Sequence, residues 1–241
     1  MNPSKHLAPT VNGTVPERVG FFDSGIGGVS IVHEFVRLRP TADVFYVADW
    51  TYCPYGEKPE AVVRARAHTI TERLLAQGCQ LIVVACNTAT AVAIDSLREM
   101  YDVPFVGIEP AVKPAALHSR SGVVGILATP NTFGGRLYKE TSTRFAGNVR
   151  IVTAVGEGFV ELVEAGEWNS EKVERAVARV VVPLLKQGID HLVLGSTHYP
   201  FLKAVIHRIV GSEVVIVDPS HAVALRAVSL LEQAVMRSRL G

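Results

Sequence analysis

Cys86, Ser196 and His198 are the residues whose type and neighbours together suggest proton chemistry. Each hangs on an apolar run: "LIVVACNTAT" delivers Cys86, Asn87 and Thr88, and "HLVLGSTHYP" delivers Ser196, Thr197 and His198. A cysteine between a strand and a helix N-terminus feels the positive end of that helix, which pulls a thiol down from about 8.5 toward the thiolate and makes it a usable base. The plain alternative is a small buried hydrophobe, the usual fate of a free cysteine. His198 carries the ring that titrates nearest neutrality, so it either assists an acid or base at position 196 or is a satisfied structural histidine. The Ser–His proximity invites a hydrolase, but Gly195-Ser196-Thr197 is not a GxSxG elbow and no triad order is evident.

Other polar groups fall at similar places. Asp23-Ser24-Gly25-Ile26-Gly27-Gly28 is Gly-rich between an apolar run and a helical pattern. It is either a loop whose N–H groups hold a carboxylate or phosphate, or a tight structural turn; it is neither GxGxxG nor a P-loop. Asp49 follows a second apolar run. Cys53, ahead of Pro54-Tyr55-Gly56, reads as structural with a cleft-lining role as the alternative, and Cys79 reads as buried packing. Glu164, in "GFVELVEAGE", reads by pattern as a solvated helix face.

The elements that must position these residues alternate along the chain. Short apolar runs at Val19–Phe22, Val44–Val47, Leu81–Ala85, Phe105–Ile108, Val123–Leu127, Ile151–Ala154, His191–Leu194 and Val214–Val217 are separated by segments of helical period. This predicts an α/β fold of parallel sheets with crossover helices, in which ligands sit beyond the carboxyl ends of the strands.

The chain also resembles itself. A shift of 110 positions lays "LLAQGCQLIVVACNT" (74–88) over "LLKQGIDHLVLGSTH" (184–198) without a gap, matching Gly78 to Gly188 as helix C-caps and Cys86 to Ser196. A shift of 105 lays "VGFFDSG" (19–25) over "VGILATP" (124–130) and matches Ser24 to Thr129. Two similar α/β halves are therefore expected to face each other across a cleft flanked by Cys86 and Ser196. The division reads as a loose tail over 1–17, a first unit from 18–110 plus 211–241, and a second unit over 111–210.

Composition excludes several classes. Lys plus Arg number 24 against 23 Asp plus Glu, and the basic residues are scattered, so nucleic acid is not an expected partner. No apolar run approaches the ~20 residues of a membrane span and the first residues lack a signal-peptide core, so no membrane partner is expected and the protein is expected in the cytoplasm. The three cysteines and eight histidines show no metal-ligand spacing, and no lysine sits in a recognisable Schiff-base setting; no metal and no cofactor are expected.

"FFDSGIGGVSIV" (21–32), "YVADWTYCPYGEKP" (46–59), "VVACNTATA" (83–91), "GILATPNT" (125–132) and "LGSTHYPFL" (194–202) together resemble the aspartate/glutamate racemase superfamily, and within it the glutamate racemases, from Val19 to about Leu231. The resemblance implies two pseudo-symmetric α/β domains and cofactor-independent interconversion of L- and D-glutamate by two cysteine bases. It implies supply of D-glutamate for peptidoglycan, and it allows a homodimer. By that resemblance Cys86 is the first catalytic cysteine, Asp23 the acid that assists it and His198 the assistant of the second base. Asp49 and Glu164 are acidic positions near the site, and Ser24, Pro54, Tyr55, Gly56, Asn87, Thr88, Thr129 and Thr197 are substrate ligands.

The second cysteine belongs where this chain has Ser196. An alkyl hydroxyl is far less acidic than a thiol, so Ser196 fills the space and donates a hydrogen bond but makes a poor base. Impaired racemisation is the expectation, with a single-thiol lyase or decarboxylase, or a non-catalytic amino-acid-binding paralogue, as the alternatives. The chain departs from the family again at Gly156-Glu157, where relatives often carry Cys-Pro.

Overall fold

All eight apolar runs form strands, and they sort into two parallel sheets of identical order. The first is β2-β1-β3-β4, from Asp43–Ala48, Arg18–Asp23, Leu81–Val84 and Phe105–Gly107. The second is β6-β5-β7-β8, from Arg150–Val155, Val123–Ala128, His191–Gly195 and Val215–Val217. This computed structural model describes residues 16–145 and 149–240; of the tail expected over 1–17, residues 1–15 lie outside the described residues.

The helices are α1 (Val29–Leu38), α2 (Glu60–Ala76), α3 (Asn87–Met100), α4 (Val112–His118), α5 (Pro130–Gly134), α6 (Arg136–Phe145), α7 (Phe159–Glu164), α8 (Glu171–Leu185), α9 (Lys203–Val210) and α10 (Ser220–Leu240). They cover both faces of both sheets, which is why β3 and β7 are buried along their whole length and carry unbroken apolar runs instead of alternation. Phe22, Ile82 and Val84 pack under α2 and α3, while Phe21, Leu81 and Val83 pack with α1 and α10 on the other face. The second sheet repeats this with Leu127, Leu192 and Leu194 against α8 and Ile126 and Val193 against α4.

Register brings the polar residues together. β1 and β3 pair up to Phe22 opposite Val84, and β5 and β7 up to Ala128 opposite Gly195. The chain therefore leaves adjacent strand ends with Ser24 beside Cys86 in one sheet and Thr129 beside Ser196 in the other, the two matches read from the repeat.

One strand sits elsewhere than the sequence division implies. The sequence division places Val214–Val217 with the first unit, but β8 pairs with β7, His191 lying opposite Val215 and Val193 opposite Val217. After the short crossover through α9, the free edge of β7 is the nearest partner for a parallel strand. Only α10 returns to the first unit, burying Val223, Ala224, Ala227 and Leu231 against Val19, Phe21, Ile31 and Phe35.

Gly78 and Gly188 have φ of +76° and +81°, so both copies of Leu-Leu-x-Gln-Gly end their helix with a left-handed residue. A β-carbon on Gly188 would meet nothing within 4 Å. Gly188→Ala is therefore a clean test of backbone strain: urea denaturation is expected to show a loss of about 1–2 kcal/mol, and an unchanged midpoint would remove the left-handed cap from the account of the repeat.

Candidate active site

The carboxyl ends of the two sheets meet around a small cavity of about 20 Å³, room for about one water molecule. From the first unit Asp23, Ser24, Pro54, Tyr55, Gly56, Cys86, Asn87 and Thr88 line it. From the second come Thr129, Ser196, Thr197 and His198, with Val160, which the sequence did not single out. Among the described residues lining it there is no Lys or Arg, so the wall offers hydroxyls, an amide, an imidazole, a thiol and one carboxylate.

Asp23 is fully buried and accepts hydrogen bonds from the N–H groups of Ser24 and Gly28, both at 2.7 Å, and from the Thr197 hydroxyl of the other unit at 3.0 Å. Burial pushes its carboxyl upward against the opposing pull of the His198 charge and of hydrogen bonds from the Cys86 thiol, Ser24 and Thr197. The N–H of Ile26 in the same loop donates to the Glu164 Oε1 atom at 2.7 Å. The Gly-rich loop is thus an anion-holding loop whose anions are the protein's own carboxylates. A β-carbon on Gly25 would overlap the Glu164 carboxylate, and one on Gly27 would come within 2.6 Å of His198 Nδ1 and Thr197 Oγ1.

Cys86 is the N-cap of α3, its Sγ atom accepting from the Ala89 N–H at 3.4 Å. The helix end was expected to pull the thiol down; instead burial and the neighbouring Asp23 charge push it well above its ordinary value. Removing the thiolate from water and setting it beside a carboxylate outweighs one weak N–H···S bond and the helix dipole. Ser196 ends β7 at the matching place but does not cap a helix: its Oγ atom accepts from the His198 N–H, two residues on, at 3.4 Å. The ring of His198 turns away to Glu164, Nε2 to Oε1 at 2.6 Å.

Glu164 is therefore not a solvated face residue. It binds His198 within its own unit, and across the seam it accepts from Ile26 and, at 2.8 Å, from the indole N–H of Trp50. Burial opposes its ionisation, but the bonds from His198, Ile26 and Trp50 hold its carboxyl below the ordinary 4.5. Asp49 is not brought to the cavity. Arg66 grips it with two bonds of 2.8 Å and the Tyr55 hydroxyl donates to it at 2.6 Å, so it anchors Tyr55 behind the cavity wall. Trp50 and Arg66 were missed by sequence reading, and nothing in their local pattern marks them.

Asn87 is the clearest sign of a ligand. Both polar atoms of its side chain are buried without a hydrogen-bond partner while the residue lines the cavity, an arrangement costly unless something else satisfies them. Thr88, Thr129 and Thr132 form a chain of hydroxyls beside it, at 3.2 and 2.9 Å.

Residues 31–227 match the family model for Asp/Glu/Hydantoin racemase. A glutamate racemase of Herpetosiphon aurantiacus is 46% identical over 216 residues, spanning 90% of this chain and 85% of its own length. One from Ectopseudomonas mendocina is 48% identical over 216 residues, spanning 89% and 82%. The crystal structure of Escherichia coli glutamate racemase in complex with L-glutamate and the activator UDP-MurNAc-Ala superposes with a TM-score of 0.84 at 37% identity, covering 90% of this chain and 83% of that one.

The Glu164 bonds that join the two units make stability depend on pH. Because the folded carboxyl is held below its unfolded value, this contribution is present above about 4.5 and is lost as pH falls through the lower folded value. Thermal denaturation of the wild type is expected to lose midpoint more steeply than Glu164→Gln as pH drops from about 5 to 3; parallel profiles would mean that the carboxylate does not hold the seam.

Proposed function

This chain belongs to the Asp/Glu/Hydantoin racemase family, and we propose that its reaction is the cofactor-independent interconversion of L- and D-glutamate by proton transfer at the α-carbon. The observation that carries the substrate class is the cavity wall: the unpaired Asn87 amide, neutral hydroxyls and one buried carboxylate suit the ammonium and carboxylates of an amino acid better than a phosphate, which calls for cations or free N–H groups. A cavity of about 20 Å³ is far too small for glutamate, so the two units part to admit it and close around it.

Proton transfer runs from the Cα–H bond to Cys86 on one face. Before that, the Cys86 thiol gives its proton to Asp23, whose raised carboxyl is a competent acceptor. The substrate ammonium brings a positive charge beside the thiol and favours the thiolate once bound. Asn87, Ser24, Thr88 and Thr197 hold the substrate's charged groups, with Tyr55, Gly56 and, next to Gly56, Thr129 completing the wall. On the opposite face Ser196 stands where the fold repeats Cys86, flanked by the His198–Glu164 pair.

A hydroxyl there leaves the enzyme with one good proton carrier. Such a protein supplies D-glutamate for peptidoglycan poorly, in the cytoplasm where thiols stay reduced. The single thiol also favours a second reading, protonation of a carbanion from one face only, as in a lyase or decarboxylase of the same superfamily.

Ser196→Cys is expected to raise glutamate racemisation by about 10²–10⁴-fold, the usual worth of a positioned acid or base. A restored protein that is inert toward both enantiomers, yet folded, would overturn glutamate as substrate. In deuterated water the serine form is expected to exchange the α-proton of D-glutamate faster than that of L-glutamate, since Cys86 meets the face that the family resemblance assigns to the D-enantiomer. Cys86→Ala is expected to abolish that exchange; exchange that survives it would place the base elsewhere.

A further inference from the structure

Cys53, Glu164 and His198 lie far apart in sequence and meet at the seam. The Cys53 Sγ, a carboxylate oxygen of Glu164 and a ring nitrogen of His198 all lie within 4.8 Å of one another. Cys53 comes from the loop after β2 in the first unit, and the other two from the second. We propose that these three side chains form a binding site for a zinc-type divalent metal ion that clamps the two units together.

Thiolate, imidazole and carboxylate are a donor set that selects zinc and its neighbours over magnesium or calcium, and three protein ligands with one open position is a familiar zinc arrangement. Tetrahedral coordination with bonds of about 2.0–2.3 Å sets donor atoms about 3.5 Å apart, so from separations of at most 4.8 Å only small side-chain rotations are needed. Charge balances as well: one thiolate and one carboxylate neutralise a divalent ion, which makes a partly buried site tolerable. The ligands are supported from outside, Glu164 by the Ile26 N–H and the Trp50 indole, and the Cys53 thiol by contact with the Ser24 hydroxyl. Cys53 and Glu164 are both partly exposed, which leaves the ion a route from solvent.

Binding breaks the Cys53 S–H bond, releases its proton to solvent and forms the metal–sulfur bond, with no change of oxidation state. The ion also takes the Nε2 atom of His198 from its bond with Glu164, and the proton that Nε2 donates there passes to Nδ1 in the other tautomer or leaves to solvent. A metal-loaded protein is therefore held closed with the second-face histidine withdrawn, and metal acts as an inhibitor.

The test uses the full chain, stripped with chelator and then titrated with zinc by calorimetry and with cobalt by optical absorption. The wild type is expected to bind one zinc per chain at micromolar dissociation constant or tighter, to show thiolate-to-cobalt charge transfer, and to rise by about 5 °C in thermal midpoint at hundredfold saturation. Cys53→Ala, and independently Cys53→Ser, are expected to lose the charge-transfer band and at least tenfold in zinc affinity, while Cys86→Ala keeps both. No binding at millimolar zinc, a band that survives both Cys53 variants, or a band lost with Cys86→Ala would each overturn the proposal. These readouts do not depend on turnover or on glutamate being the substrate.

Discussion

Two carboxylates held by one Gly-rich loop govern the arrangement at the seam. Asp23 is wholly buried and Glu164 partly so, and backbone N–H groups of residues 24–28 point at each, with Thr197 adding a bond to Asp23 and His198 and Trp50 to Glu164. The loop needs glycine at 25 and 27 because side chains of the other unit fill the space where β-carbons would stand. The same contacts that satisfy the charges hold the units together: Thr197 reaches Asp23, and Glu164 reaches Ile26 and Trp50.

From that constraint follows an unequal pair of faces within an equal pair of folds. The sheets share one strand order, one register at the strand ends and one glycine C-cap, so the residues after β3 and β7 arrive in equivalent places. Their chemistry differs because their neighbours differ. Cys86 is buried against the Asp23 carboxylate, and both raise its thiol, whereas Ser196 sits beside a histidine already engaged with Glu164. The duplication supplies two equivalent strand ends facing one cavity; the side chains place a thiol on one and a hydroxyl on the other.

The cavity is small for the same reason. Carboxylate bonds across the seam join the strand ends, and among the described residues lining the cavity Asn87 keeps buried polar atoms without a partner. Opening the seam costs the bonds across it to Glu164 and Thr197.

Read alone, the sequence determined the α/β class, all eight strands, the internal repeat with its two left-handed glycines, and the pairing of Cys86 with Ser196, because hydrophobic period and turn chemistry are local signals. It also pointed to the polar residues at the strand ends. Only the tertiary structure decided what each of those residues faces. The nearness of Cys53, Glu164 and His198 spans more than a hundred positions and leaves no spacing pattern. Asp49 looked like a site acid until Arg66 and Tyr55 closed on it, and Glu164 looked solvated until the other unit covered it. The thiol of Cys86 looked depressed by a helix end until burial and Asp23 were counted. Even β8 joined the second sheet because an open edge lay beside it. Charge, burial and edge pairing are properties of what lies across a gap, and the chain on its own does not encode distance across a gap in any local pattern.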